Sequence, residues 1–287
     1  MTKTFILPSV PGEPTVEVTI PSTLEPEQLL KFKAFEVWLK TLRQSFRLQS
    51  EKTHAFHRRR ERYYLRSINV QSVDIFGGKR IGFIKMETVV RNETDDQPLP
   101  GIVFLRGGSV AILMILRPDD DENDERYVIM VQQPRIPAGS LAFYEIPAGM
   151  IDDAGTFAGA AANELREETG LTIPEHELRD LTKLALKDAK SSESHLQKAM
   201  YPSPGACDEY IALFFWERTM PRVELNELRD RISGTEREKI TIKLVKYDEL
   251  WREGARDAKT LAAWALYEGL RRDNRLDEDD DEEDGTG

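Results

Sequence analysis

Only one cysteine, Cys207, occurs among 287 residues, so no disulfide can form within the chain and nothing points to an oxidising compartment. Long apolar runs are also missing. The longest, Val110 to Leu116, falls far short of the roughly 20 residues a helix needs to cross a bilayer. Basic residues do not outnumber acidic ones: 40 Lys and Arg face 51 Asp and Glu, for a net charge of −11. That balance argues against a general binder of nucleic acid or anionic membranes, since both attract positive surfaces. The first stretch, "MTKTFILPSVPGEPTVEV", has neither the apolar centre of a secretory signal nor the Arg-rich character of a transit peptide. The expectation is a soluble protein of the reducing cytoplasm, with no nucleic-acid or membrane partner.

What the chain does have is enough apolar content, 40% of positions, for one sizeable core and a smaller unit beside it. Residues 277–284 are all acidic and account for most of the net negative charge. Residues 274–287 read as an acidic tail too poor in apolar side chains to fold. Residues 1–62 read as a Pro-punctuated arm followed by an amphipathic helix, with Leu29, Leu30, Phe32, Phe35, Val37, Trp38 and Leu42 at helical spacing. The basic run "HRRRER" (57–62) reads as the solvated face of that helix rather than a phosphate site. From Tyr63 onward the texture is β, rich in Val, Ile and Phe between Gly- or Asp-rich turns. Residues 63–100 read as a small β unit and 101–273 as a larger α/β domain. In the latter, "LTIPEHELRDLTKLALKDA" reads as a strand end, a short helix and another strand. "DAKTLAAWALYEGLRR" reads as a closing helix whose apolar positions are Leu261, Trp264, Ala265 and Tyr267.

The segment "GMIDDAGTFAGAAANELREETGL" (149–171) carries the chemistry. Thr156 can cap a helix and Gly170 can end it in the left-handed conformation. At about 100° per residue, Glu164, Glu167 and Glu168 then share one face, and Ala158, Ala161, Ala162 and Leu165 share another. Like charges at this spacing repel, and a divalent cation reverses that sign. Hard Mg²⁺ or Mn²⁺ prefers carboxylate oxygens and typically bridges them to a substrate phosphate. By itself E-x-x-E-E is common on ordinary solvated helices.

The surroundings sharpen the reading. The segment resembles the Nudix signature, with Gly149, Glu164, Leu165, Glu167, Glu168, Gly170 and Leu171 in their places; Gly155 and Asn163 depart from its usual Glu and Arg, which commonly pair to brace the loop on the helix. Upstream "QQPRIPAGSLAFYEIPAGM" and downstream "YPSPGACDE" resemble the branch that acts on nucleoside diphosphate sugars, nearest to the plant-type ADP-sugar diphosphatases. The resemblance runs over roughly residues 63–272. It implies a Nudix α/β/α sandwich with a mixed sheet, preceded by the smaller β unit and the amphipathic helix, and a homodimer. It also implies metal-dependent hydrolysis of an ADP-ribose- or ADP-glucose-type substrate to AMP and a sugar phosphate. The metal, Mg²⁺ or Mn²⁺, would be held by the carbonyl of Ala148 and by Glu164, Glu168 and Glu167. Arg135 would clamp the diphosphate, and Glu209 or Glu167 would accept a proton from water. The alternatives are a catalytically weak nucleotide-binding or regulatory module, favoured by the two departures, or a UDP-sugar diphosphatase. Cys207 sits next to Asp208 and Glu209 with no His nearby in sequence, so thiol catalysis is not expected.

Overall fold

The computed structural model describes residues 1–57, 62–78, 80–92, 94, 98–120, 123–151, 156–187, 189, 193–233 and 239–277, without the side chains of 164–167. Most of the basic run at 57–62, Gly155 and nearly all of the acidic tail lie outside these residues. The chain divides into two compact units, the first comprising 1–108, 190–197 and 203–210 and the second the remainder.

Unit 1 is built on a five-stranded mixed sheet in the order β1 (Thr2–Ile6), β2 (Glu17–Pro21), β3 (Tyr64–Phe76), β4 (Arg80–Arg91), β5 (Ile102–Leu105). The first two strands come from the segment expected to be an arm; they pair in antiparallel register, and β2 runs parallel to β3. The amphipathic helix is two helices, α1 (Pro26–Lys31) and α2 (Lys33–Leu48), because the backbone turns extended at Phe32 (φ −70°, ψ 114°). Buried Gln49 just past α2 bonds both backbone groups of Tyr63 at 2.9 Å, fixing where β3 begins. Leu29, Phe35 and Leu39 of the helices join Val18, Ile20, Ile68, Ile84 and Met86 of the sheet in one core.

Unit 2 contains β6 (Ser109–Pro118), β7 (Tyr127–Arg135), β8 (Ser140–Glu145), β9 (Ala148–Met150), α3 (Phe157–Thr169), β10 (Arg179–Asp180), α4 (Leu181–Leu186), β11 (Ile211–Met220), α5 (Arg222–Leu228), β12 (Ile232–Ser233), β13 (Ile240–Lys246), α6 (Leu250–Glu253) and α7 (Ala258–Arg272). Its mixed sheet runs β10-β11-β6-β7-β13-β12, with β8 paired to β7 and β9 to β6. Strand β6 is apolar without alternation because helices cover both faces of the sheet. Val110, Ile112, Met114 and Leu116 pack with Ala161 of α3 and with Leu225 and Leu228 of α5. Ala111, Leu113 and Ile115 pack with Leu181 and Leu184 of α4, Leu250 of α6, and Ala263, Tyr267 and Leu270 of α7. The result is an α/β/α sandwich with a mixed sheet.

Two local expectations change. The run after Asp180, read as a strand, is helix α4, because the Asp180 carboxylate accepts the N–H of Lys183 at 2.8 Å and caps a helical turn. In α7 the buried stripe is Thr260, Ala263, Tyr267 and Leu270, while Ala265 is exposed. That stripe keeps the helical spacing but includes a polar residue that periodicity alone passes over.

Candidate active site

Helix α3 starts and stops as its sequence directs. Thr156 Oγ1 accepts the N–H of Gly159 at 3.0 Å, and Gly170 takes φ +71° directly after the last turn. Ala161 is fully buried, with Phe157, Ala158, Ala160 and Ala162 packed around the same core. Glu168 follows Ala161 by two turns and so shares its inward direction. It is 5% exposed, a buried carboxylate rather than a member of a solvated acidic face. The backbone of α3 carries Glu164 and Glu167 at their predicted positions, but their side chains lie outside the described residues.

A buried carboxylate must be satisfied. Gln133 Nε2, from the end of β7, donates to Glu168 Oε1 at 3.1 Å, and the backbone N–H of Ala148, at the start of β9, donates to Oε2 at 3.1 Å. The structure thus brings Ala148 and Glu168 together. Both of these donors are neutral. Oxygen donors fixed in this way suit a hard divalent ion. Among the described residues no group of three His, Cys, Asp or Glu side chains is placed to hold a metal; Glu164 and Glu167 fall outside that set.

Arg135 ends β7. Its Nε donates to Glu145 Oε1 at 2.6 Å, and its side chain is 41% exposed. Lys259 of α7 contacts the other oxygen of Glu145. Because Nε makes the tether, the two Nη groups are left for an anion; among the described residues neither has a partner. Gln133, Glu145 and Lys259 were not singled out in the sequence. Gln133 and Glu145 carry a signal, being polar residues at inward positions of otherwise apolar strands, whereas Lys259 sits 114 positions from its partner and carries none.

Glu209 belongs to unit 1. Its Oε1 lies 2.9 Å from Arg106 Nη1, and its side chain is 16% exposed. The preceding Asp208 accepts the backbone N–H groups of Arg106 at 2.8 Å and Gly107 at 3.1 Å, which fixes the loop to the end of β5. Burial pushes the Asp208 carboxyl above its usual range, although those N–H groups act against the rise. Burial also pushes the Cys207 thiol up, away from the thiolate that nucleophilic chemistry needs.

Comparisons with known proteins follow the same lines. The NUDIX domain matches residues 106–264. Nudix hydrolase 14, chloroplastic, of Arabidopsis thaliana is 33% identical over 278 residues, covering 95% of this chain and 82% of that protein. The ADP-ribose pyrophosphatase of Bacillus subtilis (strain 168) is 32% identical over 160 residues, 54% of this chain and 69% of that one. A crystal structure of an ADP compounds hydrolase superposes with a TM-score of 0.48 at 14% identity, over 75% of this chain and 97% of that one. With the domain matched over more than half its length and a relative aligned along nearly all of it, this chain belongs to the Nudix hydrolase family.

Proposed function

We propose that the protein hydrolyses the diphosphate bond of an ADP-sugar, of the ADP-ribose or ADP-glucose type, releasing AMP and a sugar phosphate. The observation that carries this reading is Glu168: a buried carboxylate on the signature helix with both oxygens oriented by Gln133 and Ala148. The Bacillus relative named ADP-ribose pyrophosphatase supports the substrate class. Nudix hydrolases in general use divalent metal ions; here Glu164, Glu167, Glu168 and the carbonyl of Ala148 would hold Mg²⁺ or Mn²⁺. Such an ion, when bound, offsets diphosphate charge and activates water.

The chain's own residues do the rest. Gln133 and the Ala148 N–H hold Glu168 in one orientation. Glu145 holds Arg135 by Nε, so the Nη pair can donate two hydrogen bonds to phosphate oxygens. Glu167 and Glu209 are the two candidates for accepting the proton of the attacking water. Glu167→Gln and Glu209→Gln, each measured at saturating substrate, separate them.

A product assay over ADP-ribose, ADP-glucose and UDP-glucose tests the proposal. AMP and sugar phosphate should appear from the adenine compounds; turnover of UDP-glucose alone would select the UDP-sugar alternative. A second reading, a nucleotide sensor without turnover, is favoured by Gly155 and Asn163 in place of the usual bracing pair. Nucleotide binding without hydrolysis in the same assay would establish it. A homodimer and a cytoplasmic location belong to this proposal as well; light scattering and cell fractionation check them.

A further inference from the structure

Four charged side chains of alternating sign run from the start of α7 to the end of β7. Lys259 Nζ lies 3.0 Å from Asp257 and also contacts Glu145, whose other oxygen takes Arg135 Nε at 2.6 Å. Three members of the row are largely buried and the fourth is not: the Asp257, Lys259 and Glu145 side chains are 8%, 11% and 3% exposed, and Arg135 is 41% exposed. Thr260 fastens the inner end. Its N–H and hydroxyl donate to Asp257 at 3.2 and 2.5 Å, and the hydroxyl accepts the N–H of Ile146 at 3.1 Å. The first turn of α7 is therefore tied to the backbone beside Glu145.

A buried carboxylate needs a compensating cation, and one would suffice for Glu145. Were Arg135 that only cation, its charge would be cancelled in place and an approaching anion would meet a neutral pair. Lys259 changes this, because it compensates Glu145 from the protein side. Asp257 in turn draws on Lys259, so the strength of the compensation depends on the whole row.

We propose that Lys259 is a positioning residue for substrate binding. It neutralises Glu145, so that Arg135, tethered through Nε, presents an uncancelled charge to the diphosphate of a nucleoside diphosphate sugar. The inference rests on the reading of Arg135 as the diphosphate clamp.

Steady-state kinetics on ADP-ribose, with nucleotide affinity by calorimetry in metal-free buffer, test it on the full-length protein. Lys259→Gln keeps a hydrogen-bond donor between the two acids and removes the charge. It should raise KM about fivefold and weaken metal-free binding in parallel, with kcat within about twofold of wild type. Lys259→Arg should restore KM. Asp257→Asn still caps α7 and leaves Lys259 wholly to Glu145, so it should lower KM about twofold. A purely structural row would instead give KM unchanged or raised in both charge-removing variants. An unmoved KM in Lys259→Gln, or a fall in kcat alone, overturns the inference, and so does a raised or unchanged KM in Asp257→Asn. Should Lys259→Gln fail to fold, Asp257→Asn decides by itself. A wild-type protein that neither binds nor hydrolyses any nucleoside diphosphate sugar overturns the functional reading first, a result distinct from an active wild type with an unresponsive variant.

Discussion

Gln133 and Glu168, 35 positions apart, are both buried and meet through a 3.1 Å hydrogen bond from Nε2 to Oε1. The amide can aim the carboxylate without adding charge. In Gln133→Leu one oxygen of Glu168 loses its donor, and metal affinity should fall about 10–100-fold, the usual effect of removing a partner that orients a ligand. Equilibrium titration with Mn²⁺, followed by electron paramagnetic resonance, reads this directly. Unchanged affinity would mean that Glu168 is not a metal ligand.

Replacing the carboxylate itself should act more strongly. Glu168→Gln should lower turnover by at least about a hundredfold, since it removes a ligand rather than a ligand's partner. The introduced amide also places an N–H₂ group against Gln133 or the Ala148 N–H, at a cost of about 1–3 kcal/mol unless Gln133 turns its own amide. Kinetics and chemical denaturation on one preparation separate the two effects. Near-normal rates would make Glu168 a structural acid only.

Much of this was legible in the sequence. Strand β6 could be read as buried on both faces because "VAILMIL" has no alternation, and α3 announced both of its ends in Thr156 and Gly170. The burial of Glu168 was legible only in part. At 100° per residue it falls about 20° from Ala161, a core position of the same helix, but its charge grouped it with Glu164 and Glu167, and the packing of Ala161 shows that the last turn points inward. Thr260 was hidden for a related reason, because its hydroxyl is satisfied by Asp257 and Ile146 and it occupies a core position that apolar patterning skips. The Glu145–Lys259 pair depends on the tertiary approach of α7 to β8, which no local spacing encodes.

Gly170 is a stability determinant. At φ +71° any side chain is strained, and a Cβ there would come within 2.7 Å of Arg231 Nη2. The arginine end can move, so the backbone strain dominates. Gly170→Ala should cost about 1–2 kcal/mol in urea unfolding. A neutral result would show that the turn relaxes to a right-handed conformation.

The Tyr247 hydroxyl donates to Glu268, and the Arg126 guanidinium lies 4.2 Å from the ring centroid. Burial first, and the contact with Glu268 second, hold the phenol well above its usual range. A group whose folded pKa is raised contributes stability that is present below its unfolded pKa, about 10, and is lost as pH rises beyond it. Unfolding midpoints should therefore decline above about pH 10, and Tyr247→Phe should flatten part of that decline. An identical slope in the variant would assign the alkaline loss to other groups.

The last expectation concerns which bond breaks. On the proposed reading, a diphosphate held by the Nη pair of Arg135, with Glu168 oriented by Gln133 and Ala148, invites attack by water at phosphorus. An ADP-sugar should then give AMP and a sugar phosphate, and excess chelator should abolish the reaction. Attack at the sugar carbon would need two carboxylates across a glycosidic bond and no metal. Hydrolysis in ¹⁸O-labelled water distinguishes the two. Label in a phosphate group of either product is the expected result, and mass analysis of each product shows which phosphorus was attacked. Label on the anomeric hydroxyl with release of ADP, or full activity in chelator, would overturn the mechanism while leaving the fold and the family as they are.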